Sequence, residues 1–121
     1  MPMIAMAMPI PPEKYETWRA AMSSFTGPRR AEYDASRRRM GVLRQGVFVQ
    51  QTPQGPMELL FIEAADPARF FGLLATSQDP FDVEFRAFLL DVYGLDLSQP
   101  PPGPLPELVL DWSATPTNAA V

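Results

Sequence analysis

The chain reads as a single α+β domain with the element order βααββααβ, in which four strands form one antiparallel sheet and the helices lie on one of its faces. Three observations lead there. Two Asp-Pro pairs, Asp66-Pro67 and Asp79-Pro80, each place an N-cap acid before a proline suited to the first helical position. Two β-rich apolar runs, 42–52 and 57–64, are separated only by the turn residues Thr52-Pro53-Gln54-Gly55-Pro56. The halves on either side of that turn repeat the same element order, without a residue-level repeat.

The elements follow in turn. Residues 3–10 are apolar throughout and end at Pro11-Pro12, as a short strand buried on both faces does. Pro12, Glu13 and Glu16 suit a helix start, where a missing N–H costs nothing and the dipole favours acids. Tyr15, Trp18, Met22 and Phe25 then recur on one helical face, and Thr26-Gly27-Pro28 breaks the helix. A second helix runs from Pro28 to Met40 and stops at Gly41. Its apolar stripe is thin (Ala31, Tyr33, Ala35, Met40), so it is expected at the surface.

After the hairpin, Asp66-Pro67 opens a short helix carrying Phe70, Phe71 and Leu74. Asp79-Pro80 opens a stronger one with Phe81, Phe85, Phe88, Leu89 and Val92 on one face, closed by Gly94. Residues 98–106 hold five prolines and suit an extended connector. Residues 107–112 form the expected fourth strand, and 113–121 a loose tail. With right-handed crossovers this is a ferredoxin-like sheet of order 4-1-3-2 over residues 1–112.

Composition removes much chemistry. The 121 residues contain no cysteine and no histidine. Zinc sites with nitrogen or sulfur ligands, iron–sulfur clusters, histidine-ligated haem, Cys–His nucleophiles and the serine–histidine triad are therefore excluded. The spacing of Asp79, Asp82 and Glu84 fits no calcium loop, and there is no phosphate-binding glycine pattern. The reading is of a chain with no metal and no cofactor. A net charge of −4 argues against general nucleic-acid binding. No apolar run is long enough to cross a membrane, and the location expected is cytoplasmic.

Charge is unevenly placed. Six arginines crowd residues 29–44, whereas 79–111 carries seven acids against Arg86 alone. Two surfaces of opposite sign should therefore meet, within or between subunits. The strands are also apolar on both sides: Met3, Ala5 and Ala7 oppose Ile4, Met6 and Met8, and Leu59 and Phe61 oppose Leu60 and Ile62. A helix layer buries only one face, so the other calls for a homodimer packed sheet against sheet, or for cover by the C-terminal arm in cis.

The junction Ile10-Pro11-Pro12-Glu13-Lys14-Tyr15-Glu16-Thr17-Trp18 resembles the strand–helix junction of the dimeric α/β-barrel superfamily, which includes antibiotic-biosynthesis-monooxygenase-like and stress-responsive barrel proteins. Glu13 stands where that pattern has glycine. The element order over 1–112 is similar as well. The resemblance implies a homodimeric barrel with a pocket between sheet and helices. It also implies a function within a mixed set, from cofactor-independent oxygenases to ligand sensors.

Candidate residues follow from that pocket. Tyr15 and Trp18, with Met22 and Phe25, form either core or an apolar ligand wall. The arginine helix is a solvated face, an anion-capturing surface or a nucleic-acid contact; within it Arg37 lies one turn from Tyr33 and is placed to hold a carboxylate or phenolate. Glu63 and Asp111 lie near strand ends. A carboxylate buried without a partner binds its proton more tightly, which suits a general base. The expectation is an enzyme such as a cofactor-independent monooxygenase acting on a hydrophobic aromatic or polyketide-like compound. Tyr15, Trp18 and Tyr33 would hold the substrate, Arg37 would stabilise an enolate or phenolate, and Glu63 would move the proton. The alternatives are a non-catalytic module binding a hydrophobic or anionic small molecule, and a structural dimer without a ligand.

Overall fold

The computed structural model describes residues 2–100 and 103–114. Strand β1 spans Met3–Pro9, and a single 3-10 turn at Pro12–Lys14 leads into helix α1 (Tyr15–Phe25). Helix α2 (Arg30–Arg39) precedes the hairpin of β2 (Val42–Thr52) and β3 (Gly55–Ala64), followed by α3 (Pro67–Thr76) and α4 (Pro80–Tyr93). The three strands form one antiparallel sheet in the order β1-β3-β2. The architecture is thus α+β, with four α-helices and three paired strands among the described residues.

The stop and start signals act as their chemistry requires. Asp66 accepts a hydrogen bond from the Arg69 backbone N–H at 3.2 Å, and Asp79 accepts from the Phe81 N–H at 3.0 Å. Each satisfies a donor that the first helical turn leaves free. Gly94 ends α4 with φ of 67°, a left-handed conformation that side chains disfavour. At the far end of α3, Arg86 donates to the carbonyls of Leu74 (2.9 Å) and Ser77 (2.7 Å).

Register decides which face meets the helices. The rows Met8–Glu58–Val49, Met6–Leu60–Val47 and Ile4–Ile62–Gln45 share one face. Ile4, Glu58, Ile62 and Ala64 on this face are buried. The opposite rows, Ala7–Leu59–Phe48, Ala5–Phe61–Gly46 and Met3–Glu63–Arg44, lie outside. Against the inner face packs an aromatic cluster centred on Phe25, whose ring centroid lies 4.9 Å from Tyr33, 5.7 Å from both Phe81 and Phe85, and 5.9 Å from Phe88. Such rings each contribute about 1.5–3 kcal/mol on burial. A smaller cluster of Ile10, Trp18 and Val92 closes the end where α1 meets α4, tied by a 2.7 Å Lys14–Asp91 ion pair.

Two expectations need revision. Helix α2 is more than a surface helix: Ser36, Arg37 and the following Met40 are buried. Its thin apolar stripe is supplemented by polar groups that find partners inside. Segment 107–112 has no regular secondary structure and pairs with no strand of the sheet. Most of the expected tail, 115–121, lies outside the described residues. The expected meeting of opposite charges occurs within the chain: Arg29 pairs with Glu84, and Arg39 with Asp79 (3.0 Å) and Asp82 (3.1 Å). No helix among the described residues is long and apolar enough to cross a membrane.

Candidate functional site

Between the inner sheet face and the helices lies a cavity of about 60 Å³, lined mainly by apolar side chains from all three strands and from α1, α3 and α4. Five polar residues also line it: Tyr33 and Arg37 from α2, Gln45 from β2, Glu58 from β3 and Tyr93 from the end of α4. Strand register and the helix layer thus bring polar side chains from four elements to one cavity.

Glu58 is the carboxylate at the cavity and is buried, at 3% exposure. Its Oε1 accepts a hydrogen bond from the Trp18 indole N–H at 2.7 Å and a short one from the Tyr93 hydroxyl. The same indole N–H approaches the Tyr93 oxygen at 2.9 Å. Both donors fall on Oε1, so Oε2 remains able to receive a further one. Burial, followed by the neighbouring carboxylate of Glu58, pushes the Tyr93 phenol far above its ordinary range. Tyr93 therefore stays protonated and acts as a donor.

Arg37 is the buried cation, at 7% exposure. Its guanidinium carbon sits 4.8 Å from the Tyr33 ring centroid and 4.5 Å from that of Phe85. One terminal nitrogen donates to the Ser36 hydroxyl at 2.9 Å. Ser36 in turn donates to Asp82, which also accepts from Ser77 and from Arg39. Burial alone would raise the Asp82 pKa, but the hydrogen bonds from Ser36, Ser77 and Arg39 outweigh it and hold it below the usual range. Burial lowers the Arg37 pKa, against the opposing pull of Tyr33 and Asp82, and burial raises that of the Tyr33 phenol.

Two polar atoms at the cavity lack partners. The Nε–H of Arg37 and the Oε1 of Gln45 are buried with no hydrogen-bond partner among the described residues. An unmade bond of this kind costs about 1–3 kcal/mol. One is a donor and the other an acceptor; the Tyr33 hydroxyl lies beside both side chains, and a molecule offering an oxygen acceptor and a hydroxyl or amine donor would complete the set.

The sequence-derived candidates separate in space. Tyr33 and Arg37 line the cavity as expected. Trp18 lies behind it in the smaller cluster, where it holds Glu58 in place rather than forming the wall. Tyr15 stacks on Trp18 at 5.9 Å and meets Gln51 at 3.4 Å, away from the cavity lining. Glu63 lies in the row with Met3 and Arg44 on the outer face. The alternation of β3 turns it away from the helices, so it does not serve this cavity; Glu58, five residues earlier, is the carboxylate that does. Asp111 is exposed on the C-terminal arm. Glu58, Gln45 and Tyr93 were not singled out from sequence. The available signal was the parity of Glu58 with Leu60 and Ile62, which becomes useful only once the inner face is known.

No group of three or more acidic residues among the described residues is arranged to hold a metal ion. No family model, curated protein or solved structure matches this chain.

Proposed function

We propose that this protein binds a small hydrophobic aromatic molecule with an acidic oxygen in the cavity between sheet and helices, and acts on it as a cofactor-independent monooxygenase. The observation that carries the reading is the unpaired Arg37 Nε–H and Gln45 Oε1 lining the same apolar cavity as the buried Glu58. Arg37 would take a phenolate or enolate oxygen, where a fixed cation in a dry site favours the ionised form. Gln45 would accept from a neighbouring hydroxyl. Glu58, through Oε2, would receive the proton lost from an activated C–H. Tyr33 would lie along the ring, with Trp18 and Tyr93 fixing Glu58.

The cavity is smaller than the roughly 150 Å³ void that admits benzene in a dry protein interior. Met6, Met8 and Met22 line it. Unbranched methionine side chains turn readily, so the wall would widen around a ring. The fold reading that accompanies this is ferredoxin-like: the observed β1-β3-β2 order is the 1-3-2 part of the 4-1-3-2 sheet. The outer face, with Phe48 at 65% exposure beside Leu59 and Ala7, supports a homodimer joined through the sheets.

Anthrone is the test substrate. Its methylene carbon is acidic, and oxidation by dioxygen gives anthraquinone and water, with one oxygen atom entering the product and two hydrogens leaving in the water. Calorimetric binding together with oxygen uptake that is lost in Glu58→Gln and Arg37→Met supports the enzyme. Binding without oxygen uptake supports the second reading, a non-catalytic binding module. That reading is favoured by Glu58 Oε1 being committed to Trp18 and Tyr93. The absence of any binding overturns both.

A further inference from the structure

The C-terminal arm presents apolar side chains that its own chain does not cover. Leu108, Val109, Leu110 and Trp112 are exposed, Val109 at 84% and Trp112 at 77%. The backbone there has no regular secondary structure and no strand partner. Four such residues within five positions form a hydrophobic strip unusual for a free surface.

The sheet offers two open edges, and they differ. Strand β2 carries Arg44, Gln45, Gln50 and Gln51 and has a register irregularity between Val42 and Arg44. Polar side chains and bulges of this kind discourage pairing with another chain. Strand β1 consists of Met, Ile and Ala followed by Pro9, with no charge at all. Its outward Ala5 and Ala7 are small and exposed, leaving the backbone edge open to approach.

The placement of the arm decides between folding back on its own sheet and reaching another. Leu97 still packs against the core. Residues 98–106 then separate it from the arm, with five prolines among nine positions. The segment opens in a turn, the Gln99 N–H donating to the Asp96 carbonyl at 3.1 Å. The arm that follows lies unpaired although the β1 edge of its own chain is open, so the edge it fits is that of a second copy.

We propose that the arm of one copy, residues 107–112, pairs with the β1 edge of a second copy, and that the exchange is reciprocal about a two-fold axis. This deepens the homodimer reading and rests on it. Each sheet then has four strands, the fourth supplied by the partner, and the exposed strip is buried by the same contact that completes the sheet.

The test uses the full chain, which has no native cysteine. A tagged Ala7→Cys chain is mixed with an untagged Val109→Cys chain and treated with a short bis-maleimide. A tagged–untagged product is expected, and none when Gln50→Cys on the β2 edge replaces Ala7→Cys. Linkage confined within single chains of the Ala7→Cys/Val109→Cys double variant overturns the exchange in favour of docking in cis. Light scattering gives the second readout: wild type at twice 13.5 kDa and Leu108→Asp/Leu110→Asp at 13.5 kDa. A double variant that remains dimeric overturns the arm's role but leaves the face-to-face dimer standing. A monomeric wild type overturns both.

Discussion

The Trp18 indole N–H and the Glu58 carboxylate meet at 2.7 Å across 40 positions of sequence, joining α1 to the inner face of β3. The bond is buried, and Tyr93 closes it from α4. It fixes a charged group at the cavity wall and links three elements at one end of the domain.

Removing the carboxylate should therefore be costly. Glu58→Ala leaves the half-buried Tyr93 hydroxyl and the buried Trp18 N–H with only each other. A loss of about 2 kcal/mol is expected, and a smaller one for Glu58→Gln, whose amide oxygen still accepts. Urea unfolding followed by circular dichroism checks both, and equal losses would contradict the geometry.

Arg37 should matter more to binding than to stability. Its charge is buried and its Nε–H unpaired, so Arg37→Met removes a desolvated cation while keeping much of the volume. Stability is expected to fall by about 1–2 kcal/mol, from the lost Ser36 bond and the lost contacts with the Tyr33 and Phe85 rings, while the affinity for an anionic aromatic such as 1-naphthoate falls at least tenfold. A large loss of stability with unchanged affinity would assign Arg37 to packing alone.

Asp82 sets the acid limb. Its folded pKa is depressed by Ser36, Ser77 and Arg39, so it contributes stability that is fully present above the unfolded carboxyl value of about 4. That contribution disappears as pH falls through the lower folded value. Asp82→Asn should cost about 2 kcal/mol at pH 7 and should narrow the gap between wild-type stability at pH 7 and at pH 3. A gap of unchanged width would exclude this network as its source.

The alkaline limb belongs to Tyr33 and Tyr93. Both phenols are raised, so the protonated folded state is favoured and their contribution is complete below the unfolded value of about 10. It is lost as pH rises from there toward the folded values. Tyr93→Phe should flatten the fall in stability above pH ~10, measured by chemical denaturation across that range.

Two glycines should respond in opposite senses. Neither Gly94 nor Gly72 has an atom within 4 Å of an added Cβ, so space is not the issue. Gly94 has φ of 67° and Gly72 lies within α3. Gly94→Ala should destabilise by about 1 kcal/mol, and Gly72→Ala should stabilise by about 0.5–1 kcal/mol. Thermal unfolding of the pair compares them directly.

The sequence by itself determined the local structure. Asp-Pro starts, glycine stops and a proline-bounded turn act within a few residues of themselves. They placed β2 at 42–52, capped α3 and α4 and ended α4 at Gly94. It also indicated Tyr33 and Arg37 as one pair, because one helical turn separates them. Tertiary structure alone decided which sheet face is inside. The strands are apolar on both sides, so Leu59 and Phe61 carry the same signal as Leu60 and Ile62. A choice of parity is a choice between Glu58 and Glu63 at the cavity wall. That choice is made by register against β1 and β2 and by where the helices land, which are contacts between residues far apart in the chain. The same non-local contacts drew Tyr93 from α4 and Gln45 from β2 to one cavity. They also left the 107–112 arm, strand-like in sequence, without a partner in its own sheet.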